Sequence, residues 1–370
     1  MYLFATLFLS VFAYLEVFNQ DTVKKYRMLF AFICYAFLIF HDGFRWETGC
    51  DWIPYTSYFD KLLVDFSITE PLFEVGYYLF MLPIRVVTDN YTAYLIIHAL
   101  VFYTLMFYAV FKLSTSPFVS LLLLYMVIVP YMGTNRQFLA LAIYAFGFLF
   151  LVKDRRWAFF LCVVLACFFH KSAVVCIFAL FLSHKISNKY LIAVLGIAIL
   201  ISMSGIVNKV APLLSVFVSS EDDLKKMDVY MNFDYDVSVV STLFSLFRKL
   251  IWIALLMIFD KYVEHKSKLY YTFFNLYFLG SIFYVLFNGT MLQVFVSRAL
   301  LYYNLMEIFI VPYVLTLFRP NYGKLAIMFT LTAYCWINIS KGFLNYGEGT
   351  DYFEPYKGIF INTNYARQDQ

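Results

Sequence analysis

Apolar runs recur along the whole chain, separated by short polar or basic breaks. They lie at approximately 1–18, 28–41, 91–111, 117–132, 137–152, 157–170, 172–183, 190–204, 239–259, 269–287, 299–317 and 324–340. A helix needs about 20 mostly apolar residues to cross a bilayer, fewer when it is short or tilted. The alternating short segments of a membrane barrel do not occur. The pattern predicts an all-α fold: a polytopic integral membrane protein of about 12 transmembrane helices, forming one domain over residues 1–370. The stretch 71–88 contains Pro83 and Arg85 and reads as a re-entrant or interfacial helix. The stretch 157–183 reads as two segments broken at His170–Lys171. One long helix there would carry the basic loop His184–Lys189 to the opposite side of the membrane.

The breaks orient the helices. Lys24, Lys25 and Arg27 follow the first run, Lys153, Arg155 and Arg156 the fifth, and Lys185 and Lys189 the seventh. Lys261, Lys266 and Lys268 follow the ninth, and Arg319 and Lys324 the eleventh. Lys and Arg mark cytoplasmic loops, so these loops fall inside and both termini outside. The acids Asp42, Glu47, Asp51 and Glu74 and the Glu221–Asp236 cluster then fall outside. Three outer segments have the length to be structured: 42–90, 205–238 and 341–370. The first run lacks a basic leader and a small-residue cleavage site, and reads as a retained helix.

Composition supports the class. The 370 residues are 63% hydrophobic and only 14% charged, where a soluble domain carries about 25% charged residues. The formal charge of +4 reflects basic inner loops, and no nucleic-acid partner is expected. Cys34, Cys50, Cys162, Cys167, Cys176 and Cys335 show neither metal-ligand spacing nor a disulfide framework. There is no Walker loop, HExxH, GxSxG or dinucleotide glycine fingerprint, which argues against an ATP-driven pump or a serine hydrolase. Neither a cofactor nor a metal is expected.

The candidate chemistry lies where charge meets the ends of the apolar runs. Ionisable groups at membrane depth face cavities, pair and take part in function. Arg45 sits in Phe44–Trp52 with Glu47 and Asp51, followed by Tyr55. A guanidinium fork matches phosphate oxygens, aromatic faces stack on sugar rings, and a carboxylate can accept a hydroxyl proton. An interfacial aromatic belt with a surface ion pair has the same composition. Gly133–Gln137 joins two runs, with Asn135 as the expected helix cap. Arg136 then occupies the first helical turn, where the dipole favours anions over cations. A bound anion would reconcile the two; so would an arginine snorkelling to the headgroups. His170 and Lys171 offer a proton-transfer group and a point charge. Arg248 and Glu307 each fall roughly 13–15 Å below the outer face if their runs are straight helices, so they are expected to pair. Glu70–Pro71 and Glu74 read as ordinary helix-start signals.

The order of these segments resembles the EpsG family, within the Wzy-like polymerases of O-antigen, capsule and exopolysaccharide. The similarity rests on FRWETGCDW with Tyr55, EVGYYLF, NRQFLALAIYAF, FFHKSAVV, Arg248–Lys249, SRALLYY and EPYKG, spanning about 44–357. Trp46 and Glu47 stand where family members often carry small or aliphatic residues. The resemblance implies a glycosyltransferase at the periplasmic face of the bacterial inner membrane. Donor and acceptor would both be glycans on undecaprenyl pyrophosphate, and the partners would include the bilayer, a chain-length regulator and a flippase. It also implies the site residues. Arg136, Arg248 and Arg298 would bind pyrophosphate with Arg45 close by, and Tyr55, Glu74, Gln137, Lys171 and Tyr356 would line the substrate. His170 is the first candidate base and Asp51 the second. A ligase moving finished glycan to another acceptor needs the same clamp. A flippase or transporter would need a polar path across the whole bilayer.

Overall fold

In the computed structural model the chain is described over residues 1–63, 73–210, 239–262, 268–288, 290, 292–317, 321–344 and 352–363. It is all-helical, and no strand forms among the described residues. In chain order the helices are α1 (Tyr2–Phe18), α2 (Gln20–Gly43), α3 (Trp52–Lys61), α4 (Val75–Val87), α5 (Tyr91–Leu113), α6 (Pro117–Ile128), α7 (Asn135–Leu151) and α8 (Arg156–Phe169). They continue as α9 (Asn188–Met203), α10 (Ile206–Val210), α11 (Val239–Tyr262), α12 (Lys268–Phe287), α13 (Gln293–Asn304), α14 (Glu307–Val314) and α15 (Asn321–Leu344). Two compact units result: Met1–Ile177 with Leu315–Gln370, and Phe178–Val314.

The first unit is organised around α6. Every residue of this helix is buried, as expected of a helix that is apolar all round. Helix α1 lies against α6 and α15 and buries Ala5, Leu9, Phe12 and Ala13, the i, i+4 face of an amphipathic helix. Helix α7 is flanked by α5 and α8, and α2 lies along α5. In the second unit α12 contacts α9, α11, α13 and α14.

Among the described residues, α5 and α12 are the helices both long and apolar enough to cross a membrane unaided. Several other apolar helices are 10–17 residues long. Together with the composition they make this a membrane protein, in which the shorter helices would span only by tilting or by local thinning of the bilayer.

Several expected elements take a different form. The run 299–317 is not one helix. It breaks at Leu305–Met306 into α13 and α14, which puts the buried Glu307 in the first turn of α14, where the helix dipole favours a carboxylate. Arg298 and Glu307 thus lie on two helices rather than on one straight one, and the expected Arg248–Glu307 pair falls outside the described residues, because the Arg248 side chain does. The run 172–183 forms a 3₁₀ helix over Lys171–Leu180. Its fully buried Ala173, Cys176 and Ala179 are spaced by three, and only a period of three residues per turn keeps them in line. The segment 42–90 contains the short helix α3, and the stretch 71–88 forms a helix, α4, over Val75–Val87. Glu70–Pro71, the Glu221–Asp236 cluster, most of 205–238 and parts of 341–370 lie outside the described residues.

Candidate active site

The loop after α2 crosses the turn before α7 at two glycines. Gly49 and Gly133 both have positive φ, at 103° and 102°. A Cβ on Gly133 would fall inside the Cys50 carbonyl, and one on Gly49 inside that of Met132. The crossing is closed by Cys50 N–H donating to the Met132 carbonyl at 2.9 Å. It brings the arginines of two separate sequence motifs to one place.

Arg45 lies beneath this crossing and is 1% exposed. It is paired with Asp42, one helical turn back on the same helix end, and donates through Nη2 to Asn135 Oδ1 at 2.7 Å. Asn135 in turn donates to the Tyr91 hydroxyl at 3.3 Å, and its carbonyl accepts from His98 Nε2 at 2.9 Å. The expected capping role therefore fails: Thr134 occupies the cap position, and the Asn135 side chain is committed to Arg45 and Tyr91. Asp42 was not singled out in the sequence, although its i, i+3 spacing from Arg45 is the signal that finds it.

Arg136 emerges next to this buried network. Its guanidinium lies 4.2 Å from the Phe73 ring centroid. It donates through Nε to the Tyr55 hydroxyl at 3.0 Å and through Nη1 to Glu74 Oε2 at 2.5 Å. The cation at a helix start is thus matched by a carboxylate from another segment. Tyr55 is almost fully buried, and burial pushes its phenol up to about 12. Beneath the guanidinium lies an aromatic layer of Tyr55, Phe59, Tyr77, Tyr91 and Tyr94.

Glu74 also joins Arg136 to the turn at His170. Its Oε1 accepts the backbone N–H of Lys171 at 3.2 Å. Close approach is possible because Gly76 has no side chain; a Cβ there would sit 2.7 Å from the Phe168 carbonyl oxygen. Burial raises the Glu74 carboxyl, but Arg136 and the Lys171 N–H more than offset this and hold it below the usual carboxylate range. The Lys171 side chain is exposed. His170 is buried, and its Nδ1 accepts from the Ser172 N–H at 3.3 Å and lies 2.6 Å from Ser172 Oγ. An apolar groove of about 290 Å³, lined by Phe160, Val163, Cys167, Phe168 and Val174, begins beside this turn.

The structure therefore brings Tyr55, Glu74, Arg136, His170 and Lys171 together and places Arg45 directly behind them. Gln137 is buried at the start of α7. Asp51 is exposed at the start of α3 in a left-handed conformation. Tyr356 is buried and donates to the His41 carbonyl at 2.5 Å. Arg248 and Arg298 belong to the second unit, where Arg298 is exposed on α13. Besides Asp42, two participants carry little sequence signal. Phe73 carries no signal beyond its place next to Glu74, and Ser172 is foreshadowed only by the short His–x–Ser spacing.

No curated protein and no solved structure matches the chain. The model of the EpsG family, whose members are Wzy-like polymerases, matches residues 28–357, nearly the whole chain. Because that match covers nearly the whole length, the chain belongs to the EpsG family.

Proposed function

We propose that this protein is a glycosyltransferase that polymerises oligosaccharide repeat units carried on undecaprenyl pyrophosphate, working at the periplasmic face of the bacterial inner membrane. Membership of a family of polysaccharide polymerases supports the reaction class. The observation that carries the reading is the Arg136–Glu74–Lys171 cluster. It joins a partly exposed guanidinium at a helix start to the backbone N–H of the exposed Lys171 through one carboxylate. A pyrophosphate leaving group gains negative charge in the transition state, and fixed cations of limited hydration stabilise it best. The neighbouring apolar groove is suited to the first part of a polyisoprenoid chain.

In this reading Arg136 and Lys171 bind the pyrophosphate, and His170 hydrogen-bonds to substrate. Tyr55 and Glu74 fix the Arg136 fork, and Arg45 holds the helix start from behind. Asp51 and Gln137 contribute to the sugar side. Arg248 and Arg298 are proposed as phosphate-binding residues of the second unit, and Tyr356 as a support of the loop. A chain-length regulator and a flippase are proposed partners. Purified protein supplied with a synthetic undecaprenyl-pyrophosphate repeat unit should produce a ladder of products differing by one repeat. A single product on another acceptor would favour a ligase, and no product would refute the reading.

A further inference from the structure

The neutral His170 ring is set up to donate a hydrogen bond. A backbone N–H can only donate, so the contact from Ser172 N–H leaves Nδ1 as the lone-pair nitrogen and puts the ring proton on Nε2. In that form the ring offers Nε2–H, suited to a phosphate oxygen or a leaving group, and accepts no proton at that nitrogen. Another group must then take the proton of the attacking sugar hydroxyl.

Glu74 is placed for this. It is the carboxylate hydrogen-bonded to both of the proposed pyrophosphate-binding residues, through Arg136 Nη1 on one oxygen and the Lys171 N–H on the other. A carboxylate has about four acceptor positions; these contacts and one from its own backbone N–H leave one for substrate. Arg136 is also anchored by Nε to Tyr55 and by its stacking on Phe73, so the planar fork keeps its place while a phosphate oxygen takes over Nη1 and the Glu74 carboxylate swings aside.

We infer that Glu74 is the proton acceptor of the transfer reaction and is activated when the donor's pyrophosphate takes over the Nη1 contact of Arg136. The inference rests on the reading of the chain as a lipid-pyrophosphate glycosyltransferase. The acceptor hydroxyl oxygen forms a bond to the anomeric carbon of the donor. The bond from that carbon to the pyrophosphate oxygen breaks, and its electron pair leaves with the pyrophosphate. The hydroxyl proton passes to Glu74 Oε2 and later to water. Free of its guanidinium partner, a half-buried carboxylate becomes a stronger base, because burial disfavours the charged form. The base is therefore weak in the empty enzyme and strong when donor is bound.

The experiment uses the full-length protein in detergent or nanodiscs with the synthetic lipid-pyrophosphate repeat unit, reading turnover by ladder formation and binding with a non-hydrolysable phosphonate analogue. Glu74→Gln should lower turnover about 100-fold while analogue binding is retained or tightened, because no carboxylate competes with the pyrophosphate for Nη1. Glu74→Asp, which keeps the charge but shortens the reach, should bind normally and turn over at an intermediate rate. The wild-type rate should fall on the acid side of a carboxylate titration. Arg136, Lys171 and His170 are the charged or titratable groups facing Glu74, and His170→Asn should keep that acid limb whereas Glu74→Gln should lack it. Wild-type turnover in Glu74→Gln, parallel loss of binding and turnover in both Glu74 variants, or disappearance of the acid limb in His170→Asn would overturn the inference and leave the polymerase reading intact. Absence of a ladder from the wild type overturns that reading, and the inference with it.

Discussion

Arg45 reaches across 90 positions of chain to donate to Asn135, the residue immediately before Arg136. A fully buried guanidinium thus holds the helix start from which the partly exposed one projects, and Asp42 supplies its counter-charge.

Removing one member of a buried pair leaves the other charged and unpaired, which costs about 3–5 kcal/mol, whereas replacing both with apolar residues is often neutral. Arg45→Met should therefore unfold the protein at markedly lower temperature, and the double variant Asp42→Leu/Arg45→Met should recover most of the lost thermal stability. Recovery should not extend to activity, because the bond to Asn135 is missing in both. Thermal unfolding in detergent, alongside the polymerisation assay, separates the two effects.

Arg136 uses two edges of its fork at once, on Tyr55 and on Glu74. A lysine has one charged point and cannot reproduce this geometry. Arg136→Lys is expected to keep the charge and the fold yet reduce ladder formation by about 100-fold, the size of losing one preorganised donor at a developing anion. Equal activity of the Lys and wild-type forms would mean that charge alone matters at this position.

The Glu74–Arg136 contact also sets a pH dependence of stability. The folded carboxyl lies below its usual value of about 4.3. Its stabilisation is therefore fully present above that ordinary value and is lost as pH falls through the lower folded value. The thermal midpoint should drop between neutral pH and the acid side of the carboxylate range, and drop less in Glu74→Gln, which has no carboxyl to protonate there. Melting curves at several pH values in one detergent test this.

The sequence makes the local features legible. The apolar run of α5 and the break at His170 are readable from composition alone, since a long apolar stretch has few alternatives and a His–Lys pair interrupts it. Arg136 is identifiable because a cation at a helix start contradicts the dipole. Its partner is not, because Glu74 stands 62 residues away and an ordinary helix-start signal accounts for it equally well. The 3₁₀ segment is written in the threefold spacing of Ala173, Cys176 and Ala179, a period easily hidden inside an apolar run. The split between α13 and α14 is concealed because Leu305 and Met306 are apolar and mark no turn. Arg45 is visible as a charge, yet whether it is sealed or open depends on Gly49 and Gly133 crossing, which is a tertiary event.

That crossing yields a paired test. Gly133 needs positive φ, and an alanine there would drive its Cβ into the Cys50 carbonyl. Gly133→Ala should cost about 3 kcal/mol, the upper end for a strained backbone position. Gly196 lies within α9 with nothing inside 4 Å of the added Cβ, so Gly196→Ala should leave stability unchanged or raise it by about 0.5–1 kcal/mol. Opposite signs for one chemical change would tie the loss at Gly133 to the loop crossing.

The tail is bound to the same loop by main-chain and side-chain contacts. Trp46 N–H donates to the Lys357 carbonyl at 3.0 Å, Lys357 N–H to Thr48 Oγ1 at 2.9 Å, and Lys357 Nζ to Glu47 Oε2 at 3.2 Å. Tyr356 completes the contact through its hydroxyl on the His41 carbonyl. With that hydroxyl committed inside the protein, Tyr356→Phe should cost about 1–2 kcal/mol by leaving a buried carbonyl without its donor, while KM for the lipid-linked repeat unit stays unchanged. Glu47→Gln should cost at least as much, since it takes the carboxylate from the buried Lys357 ammonium, which is 2% exposed. A raised KM in Tyr356→Phe at unchanged thermal stability would instead place the phenol against the substrate.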